Sequence, residues 1–224
     1  MRIISGSAKG RKLFSPPGQS LVIRPTSDRA REALFSIIGR HTQGAVVLDL
    51  YAGTGALGLE AFSRGATRVM FVENSRLASD LIARNIRACT GVDGSIPTES
   101  IAVVQQRLSL LRHDLRKGLP LRRFQQQGFS LFDLIFLDPP YAQGLCQRTL
   151  RDLDHSHVLA PEGLLIAEER ADEKLDDRFA TLELTDKRIY GDTAFWIFRS
   201  QQLGTNQPRQ IDAHSHHTRN SHAE

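Results

Sequence analysis

The sequence predicts an α/β fold built on a doubly wound, mostly parallel sheet, and three observations carry that prediction. Apolar runs of strand length alternate with helical stretches from Ala45 to Ala167. The first run, Ala45-Val46-Val47-Leu48-Asp49-Leu50, is nearly continuous in apolar residues, as a strand covered on both faces requires. A glycine-rich turn follows that run directly and opens a helix, which is how strand–turn–helix units of such sheets begin.

Residues 2–24 read as short strands broken by Gly6, Gly10 and the Pro16-Pro17-Gly18 turn. Pro25 ends this extended piece, because the residue before a proline is pushed toward extended geometry. Thr26 or Ser27 is placed to cap a helix, with Asp28 in its first turn. Ala30, Leu34, Ile37 and Ile38 give that helix an apolar stripe, and it ends near Gly39. After the first buried strand comes a helix over Leu57–Ser63, a strand over Arg68–Glu73 and a long helix over Leu77–Ala88. Ile101-Ala102-Val103-Val104 reads as the third strand and Leu131–Leu137 as the fourth, stopped by Pro139 and Pro140. A helix around Leu145–Leu153 leads to a fifth strand, Gly163–Ala167. Two late strands, Leu182–Tyr190 and Ala194–Phe198, have no helix between them and are expected to pair antiparallel. Residues 91–99 are polar and turn-rich, and read as a surface loop. The tail from Ser200 carries few apolar residues and is expected to be disordered. Its His214, His216, His217 and His222 are metal-capable residue types, but a solvated tail offers no scaffold to hold ligands, so no metal site is assigned.

With 40% apolar and 24% charged residues the composition is that of a globular protein, which excludes fibrous and disordered classes. No run approaches the ~20 apolar residues of a membrane span, and the first residues lack the apolar core of a signal peptide. The two cysteines, Cys89 and Cys146, fit a reducing cytoplasm better than a disulfide scaffold. The net charge of +4 is unevenly placed: residues 1–44 hold eight basic and two acidic side chains, a net +6, which leaves −2 for the remainder. A basic arm on a near-neutral body points to a polyanionic partner, although a solvated basic face has the same composition.

Gly53-Thr54-Gly55-Ala56-Leu57-Gly58 matches G-x-G-x-x-G, a pattern shared by dinucleotide sites and so indifferent between cofactors. Glu73, at the end of the next strand, is placed to accept ribose hydroxyls. Asp49 separates the options. It lies inside the first strand, just under the glycine turn, where it opposes a pyrophosphate and suits the sulfonium and ammonium of S-adenosylmethionine. A helix-capping or turn carboxylate is the alternative role for Asp49. Asp138-Pro139-Pro140-Tyr141 emerges from the fourth strand, at the sheet edge where ligands of open α/β folds bind. The prolines fix the backbone, Asp138 is able to accept hydrogens from a planar exocyclic amine, and Tyr141 is able to stack on the ring bearing it. Taken alone, the tetrapeptide reads first as a strand-ending turn. Placed after Asp49 and the glycine turn, it points to methylation of an amine.

These residues resemble the class I, Rossmann-like methyltransferases that act on exocyclic amines. The opening is more discriminating: Arg2–Gly6, Gly10–Leu13 and Arg24–Glu32, continued by Leu48–Leu59 and Phe132–Tyr141, are similar to the bacterial 16S rRNA (guanine(966)-N2)-methyltransferase family. The resemblance covers roughly residues 1–199. It implies a mostly parallel seven-stranded sheet with an antiparallel C-terminal strand, preceded by a small hairpin and helix extension. It implies S-adenosylmethionine held by Asp49, Tyr51, Ala52, Gly53, Gly55 and Glu73, and chemistry at Asp138, Pro139, Pro140 and Tyr141. It implies an arm that holds RNA, for which Arg11, Lys12, Arg24 and Arg29 are the candidates. The implied partner is 16S rRNA in a 30S subunit or its assembly intermediate, met by a cytoplasmic monomer with no membrane. The division expected is 1–44 basic extension, 45–199 methyltransferase domain and 200–224 tail. Gln105, Gln106 and Arg107, or the later Asp114, occupy the region that meets adenine. The rival readings are a DNA adenine-N6 methyltransferase, an NAD-type dehydrogenase and a non-catalytic RNA-binding assembly factor.

Overall fold

The computed structural model describes residues 1–16, 28–91, 101–141 and 143–201. In chain order the elements are α1 (Asp28–Ile38), β1 (Val46–Leu50), α2 (Ala56–Ser63), β2 (Arg68–Glu73), α3 (Arg76–Thr90), α4 (Ile101–Arg107) and β3 (Leu108–Arg112). They continue as α5 (Leu121–Gln126), β4 (Phe132–Leu137), α6 (Leu145–Ser156), β5 (Leu159–Arg170), β6 (Leu182–Tyr190) and β7 (Thr193–Ser200). The strands form one sheet in the order β3-β2-β1-β4-β5-β7-β6. β1 to β5 run parallel, and β7 lies antiparallel between β5 and β6. This is the seven-stranded Rossmann-like α/β fold that the sequence predicts, with its one antiparallel strand at the C-terminus.

The central strands are apolar because both faces are covered. Val47, Val69, Phe71, Leu134, Phe136 and Ile166 point to the layer formed with α1, α2, α3 and α4. Their neighbours Leu48, Leu50, Met70, Val72, Ile135 and Leu165 point the other way, to the layer with α5 and α6. The period of two along each strand sorts the core into these two layers. Connections run from β1 toward one end of the sheet, while β4 pairs with the other side of β1. That reversal opens a crevice above the carboxyl ends of β1 and β4.

One strand differs from expectation. Ile101-Ala102-Val103-Val104 is helical and belongs to α4, and the third strand is the following Leu108–Arg112. Strand preference of β-branched residues is weak and yields to tertiary context. The register pairs Val69 with Leu108 and Glu73 with Arg112, so the strand must begin after Arg107 to end level with β2. As a helix, the preceding segment buries Val104 and leaves Val103 at the surface.

The N-terminal arm is a short hairpin with an antiparallel bridge between Arg2 and Lys12, closed through Gly6–Gly10. It is bolted to the sheet-covering helices. The Ile4 and Ser5 amides donate to Glu60 of α2 at 2.7 and 3.0 Å, and Ala8 N donates to Ser63 Oγ at 2.9 Å. Asn85 of α3 clamps Phe14, accepting from its amide at 2.6 Å and donating to its carbonyl at 3.1 Å. Ile3, Ala8 and Leu13 join the same core layer as α1 and α2. Arg24, Pro25 and the capping candidates Thr26 and Ser27 lie outside the described residues, as do residues 92–100 and the histidine-bearing tail.

Candidate active site

A cavity of about 700 Å³ sits at the carboxyl edge of the parallel strands, over the β1–β4 crevice. The glycine turn, Glu73, the segment after β3, the Asp138–Tyr141 tetrapeptide and Glu168 of β5 all line it, and Met1 and Ala30 bring the arm and α1 to its wall.

The turn after β1 is shaped by backbone geometry. Tyr51 takes φ +58°, a left-handed conformation that non-glycine residues seldom adopt, and its hydroxyl meets Thr149 Oγ1 of α6 at 3.0 Å. Ala52 N donates to Val72 O at 3.1 Å, which ties the turn to β2. Gly55, at φ +77°, stands at the N-terminus of α2 and needs no Cβ there. Gly58 serves packing instead: a Cβ on it would lie 2.4 Å from the Phe71 ring and 2.9 Å from Asp49 Oδ2.

Asp49 is 1% exposed and lines the cavity, and its Oδ2 accepts from Gly58 N at 2.9 Å. Both roles weighed for it are therefore present: it anchors the first turn of α2 and it faces the ligand space. Burial pushes its pKa up to about 8, the Gly58 amide opposes that, and the Glu73 charge adds to it. Glu73 accepts from Gly53 N at 2.9 Å and from Ser75 N at 2.7 Å, so its carboxylate holds the glycine turn against the start of α3.

Beyond β3, His113, Asp114, Leu115 and Arg116 line the cavity. Asp114 accepts from the Arg116 amide at 3.1 Å and pairs with its guanidinium at 2.9 Å, which holds the carboxyl down at about 2. Gln106 and Arg107 belong to α4, and Arg107 Nε donates to Thr67 O at the opposite edge of the sheet. Of the residues weighed in that region, Asp114 is the one at the cavity.

Asp138 leaves β4 with its amide 3.4 Å from Leu50 O. Burial first, then the charges of Glu168, Asp49 and Glu169, push its carboxyl well above the usual range. Pro139 is buried and Pro140 exposed. Tyr141 is half-buried, and its hydroxyl donates to Glu168 Oε1 at 2.9 Å and lies 3.4 Å from Thr193 Oγ1. Burial and the neighbouring Glu168 push the phenol up. Glu168 and Thr193 were not among the residues read from sequence. Glu168 immediately follows the apolar run Gly163–Ala167, at a strand's carboxyl end, and that position was the available signal.

The structure thus brings Asp49, Tyr51, Ala52, Gly53, Glu73, Asp138, Pro139, Pro140 and Tyr141 to one cavity, with Gly55 heading the adjoining helix. Of the RNA candidates, Lys12 and Arg29 are exposed and Arg11 is half-buried; Arg24 lies outside the described residues. Arg29 directly precedes the cavity-lining Ala30. Among the described residues no cluster of three His, Cys, Asp or Glu suits a metal ion.

Comparison with known proteins agrees with this geometry. The family described as "Conserved hypothetical protein 95" matches residues 1–199. A "Putative rRNA methyltransferase YlbH" of Bacillus subtilis is 33% identical over 201 residues, covering 90% of this chain and all of that protein. "Ribosomal RNA small subunit methyltransferase D" of Escherichia coli K12 is 31% identical over 204 residues, 91% of this chain and 92% of the relative. The solved structure titled "Putative methyltransferase yhhF from Escherichia coli" superposes with a TM-score of 0.71 at 28% identity, over 90% of this chain and 98% of that one.

Proposed function

The chain belongs to the family described as conserved hypothetical protein 95, and from that premise we infer that it is an rRNA methyltransferase. It transfers a methyl group from S-adenosylmethionine to the exocyclic N2 amine of a guanine in 16S rRNA, the guanine at position 966. The observation that carries this reading is the composition of the cavity. Asp49, Glu73, Asp138 and Glu168 face one space, and burial, with the charges of Glu73 and Glu168 added to it, raises the pKa of Asp49 and Asp138 respectively. Such a site repels a pyrophosphate and is relieved by a cation. The residues present therefore fit S-adenosylmethionine and do not fit a dinucleotide.

Asp49 and the turn Tyr51–Gly55 hold the charged amino-acid end of the cofactor, and Glu73 its ribose. When bound, the cofactor supplies an electrophilic methyl group. Tyr141 stacks on a guanine taken out of the RNA, and Pro139 and Pro140 fix the backbone that presents it. Asp138 accepts a hydrogen bond from the N2 amine. That amine is conjugated with the ring and nucleophilically weak, and accepting its hydrogen localises the lone pair on nitrogen. Full deprotonation is not required first, because the amine becomes acidic only once methylated; Asp138, raised by its surroundings, is suited to take the proton at that late point.

Residues 1–44 form the RNA-holding extension through Arg11, Lys12, Arg24 and Arg29, and 45–199 the methyltransferase domain; the tail expected over 200–224 does not begin at Ser200, which closes β7 opposite Leu182, nor at Gln201, whose amide donates to Thr181 O at 2.7 Å. The substrate is the 30S particle or its assembly intermediate, and the protein acts as a monomer in the cytoplasm. No helix among the described residues is long and apolar enough to cross a membrane. The test is methyl transfer to 30S particles from a strain lacking the enzyme, with the nucleoside identified by mass spectrometry. N2-methylguanosine supports the reading. Label in DNA adenine, or binding to particles without transfer, favours the rival methyltransferase or the assembly factor.

A further inference from the structure

We propose that Glu168 is a positioning residue for Tyr141: its carboxylate, fixed on β5, holds the tyrosine hydroxyl and so sets the plane on which the target base stacks. The inference rests on the assignment of Tyr141 as the stacking residue and goes beyond it by naming what aims the ring.

Pro139 and Pro140 fix the main chain up to Tyr141, but they do not fix the tyrosine side chain. A half-exposed ring at the end of a turn samples several rotamers, and each is a different stacking surface. Here the hydroxyl donates to Glu168 Oε1 at 2.9 Å and lies 3.4 Å from Thr193 Oγ1. Both anchors are rigid. Glu168 is 4% exposed and sits in β5, paired across to Phe195 of β7. Thr193 is the first residue of β7 and pairs with Arg170 and Tyr190. The ring is thereby held at its far end by two strands, while its backbone is held by the prolines. Glu168, Thr193 and Tyr141 all line the cavity, so the latch lies inside the site. A carboxylate is a strong acceptor for a phenol, which gives the acid at position 168 a task that offsets its repulsion with Asp138.

Two measurements test this. The first needs no substrate: the Cζ resonances of the three tyrosines in ring-labelled protein, with Tyr141 assigned through Tyr141→Phe. The Tyr141 signal should shift in Glu168→Ala and stay near its original position in Glu168→Gln, whose amide oxygen still accepts. An unchanged signal in Glu168→Ala overturns the latch. The second is a double-mutant cycle in single-turnover methylation at saturating cofactor, run in parallel on 30S particles and on DNA. Glu168→Ala and Tyr141→Phe should each raise the half-saturating acceptor concentration about tenfold. Together they should do no more than either alone, with Glu168→Gln restoring capture. Multiplicative losses would assign Glu168 to another task and overturn the proposal. Methylation of DNA instead of the 30S particle would refute the substrate reading while the cycle still judged the latch.

Discussion

Cofactor affinity should depend steeply on pH, and the dependence should trace to Asp49. Its pKa is pushed up to about 8, chiefly by burial. The ionised fraction is then about one in a hundred at pH 6 and about one in ten at pH 7. A cation beside the carboxylate favours the ionised form, so binding lowers this pKa and releases a proton. Affinity should rise about tenfold from pH 6 to pH 7 and level off near pH 8, with close to one proton released per cofactor bound below pH 7. Calorimetry in buffers of different ionisation enthalpy measures both quantities. Asp138, raised by burial and then by Glu168 and Asp49, adds to the release if it too meets the cation. The same residue has an opposite signature in the unliganded protein. An Asp whose folded pKa exceeds its unfolded value of 3.8 holds its proton longer in the native state, so stability falls as pH rises from about 4 to about 8. Asp49→Asn keeps an acceptor for Gly58 N and removes this term. It should melt above wild type at pH 8, and the gap should close toward pH 4. Equal pH dependence of cofactor affinity in wild type and Asp49→Asn would refute the reasoning.

Three further outcomes follow from the same geometry. Asp138→Ala should lower the single-turnover rate far more than cofactor affinity, with Asp138→Asn retaining part of the rate through its amide oxygen; rapid-quench assays against equilibrium binding separate the two. Gly58→Ala should destabilise the protein by ~1–3 kcal/mol, because the added methyl meets the Phe71 ring and Asp49, and should loosen the cofactor in parallel; denaturant melts and calorimetry check it. Charge reversal at Arg11, Lys12 and Arg29 should weaken RNA binding and flatten its salt dependence by about two to three units of log–log slope while sparing cofactor affinity; filter binding across a salt series reads it.

The parts of this fold most legible in sequence are those where both faces of a strand are buried. Val46–Leu50, Arg68–Glu73 and Phe132–Leu137 stand out as apolar runs for that reason. β3 is hidden because it pairs only with β2, at the sheet edge, and its leucine-rich sequence is no more strand-like than the β-branched run before it. The glycine turn and the tetrapeptide are legible because their chemistry is packed into a few consecutive residues. The latch on Tyr141 is not, since it joins residues 27 and 52 positions apart. The seating of the arm is equally hidden: Glu60 lies in the middle of a short helix, and only the folded chain brings the amides of Ile4 and Ser5 to it.

The central claim is that the acidic cavity and the Asp138–Tyr141 turn together methylate guanine N2 in small-subunit rRNA. The most direct measurement incubates the protein with labelled S-adenosylmethionine and 30S particles from a strain lacking the enzyme, digests the RNA, and identifies the labelled nucleoside by mass spectrometry, with Asp138→Ala alongside. The account predicts N2-methylguanosine in 16S rRNA from wild type and a deep loss of it in Asp138→Ala at undiminished cofactor binding. Label in any other nucleoside, or full transfer by Asp138→Ala, would contradict it.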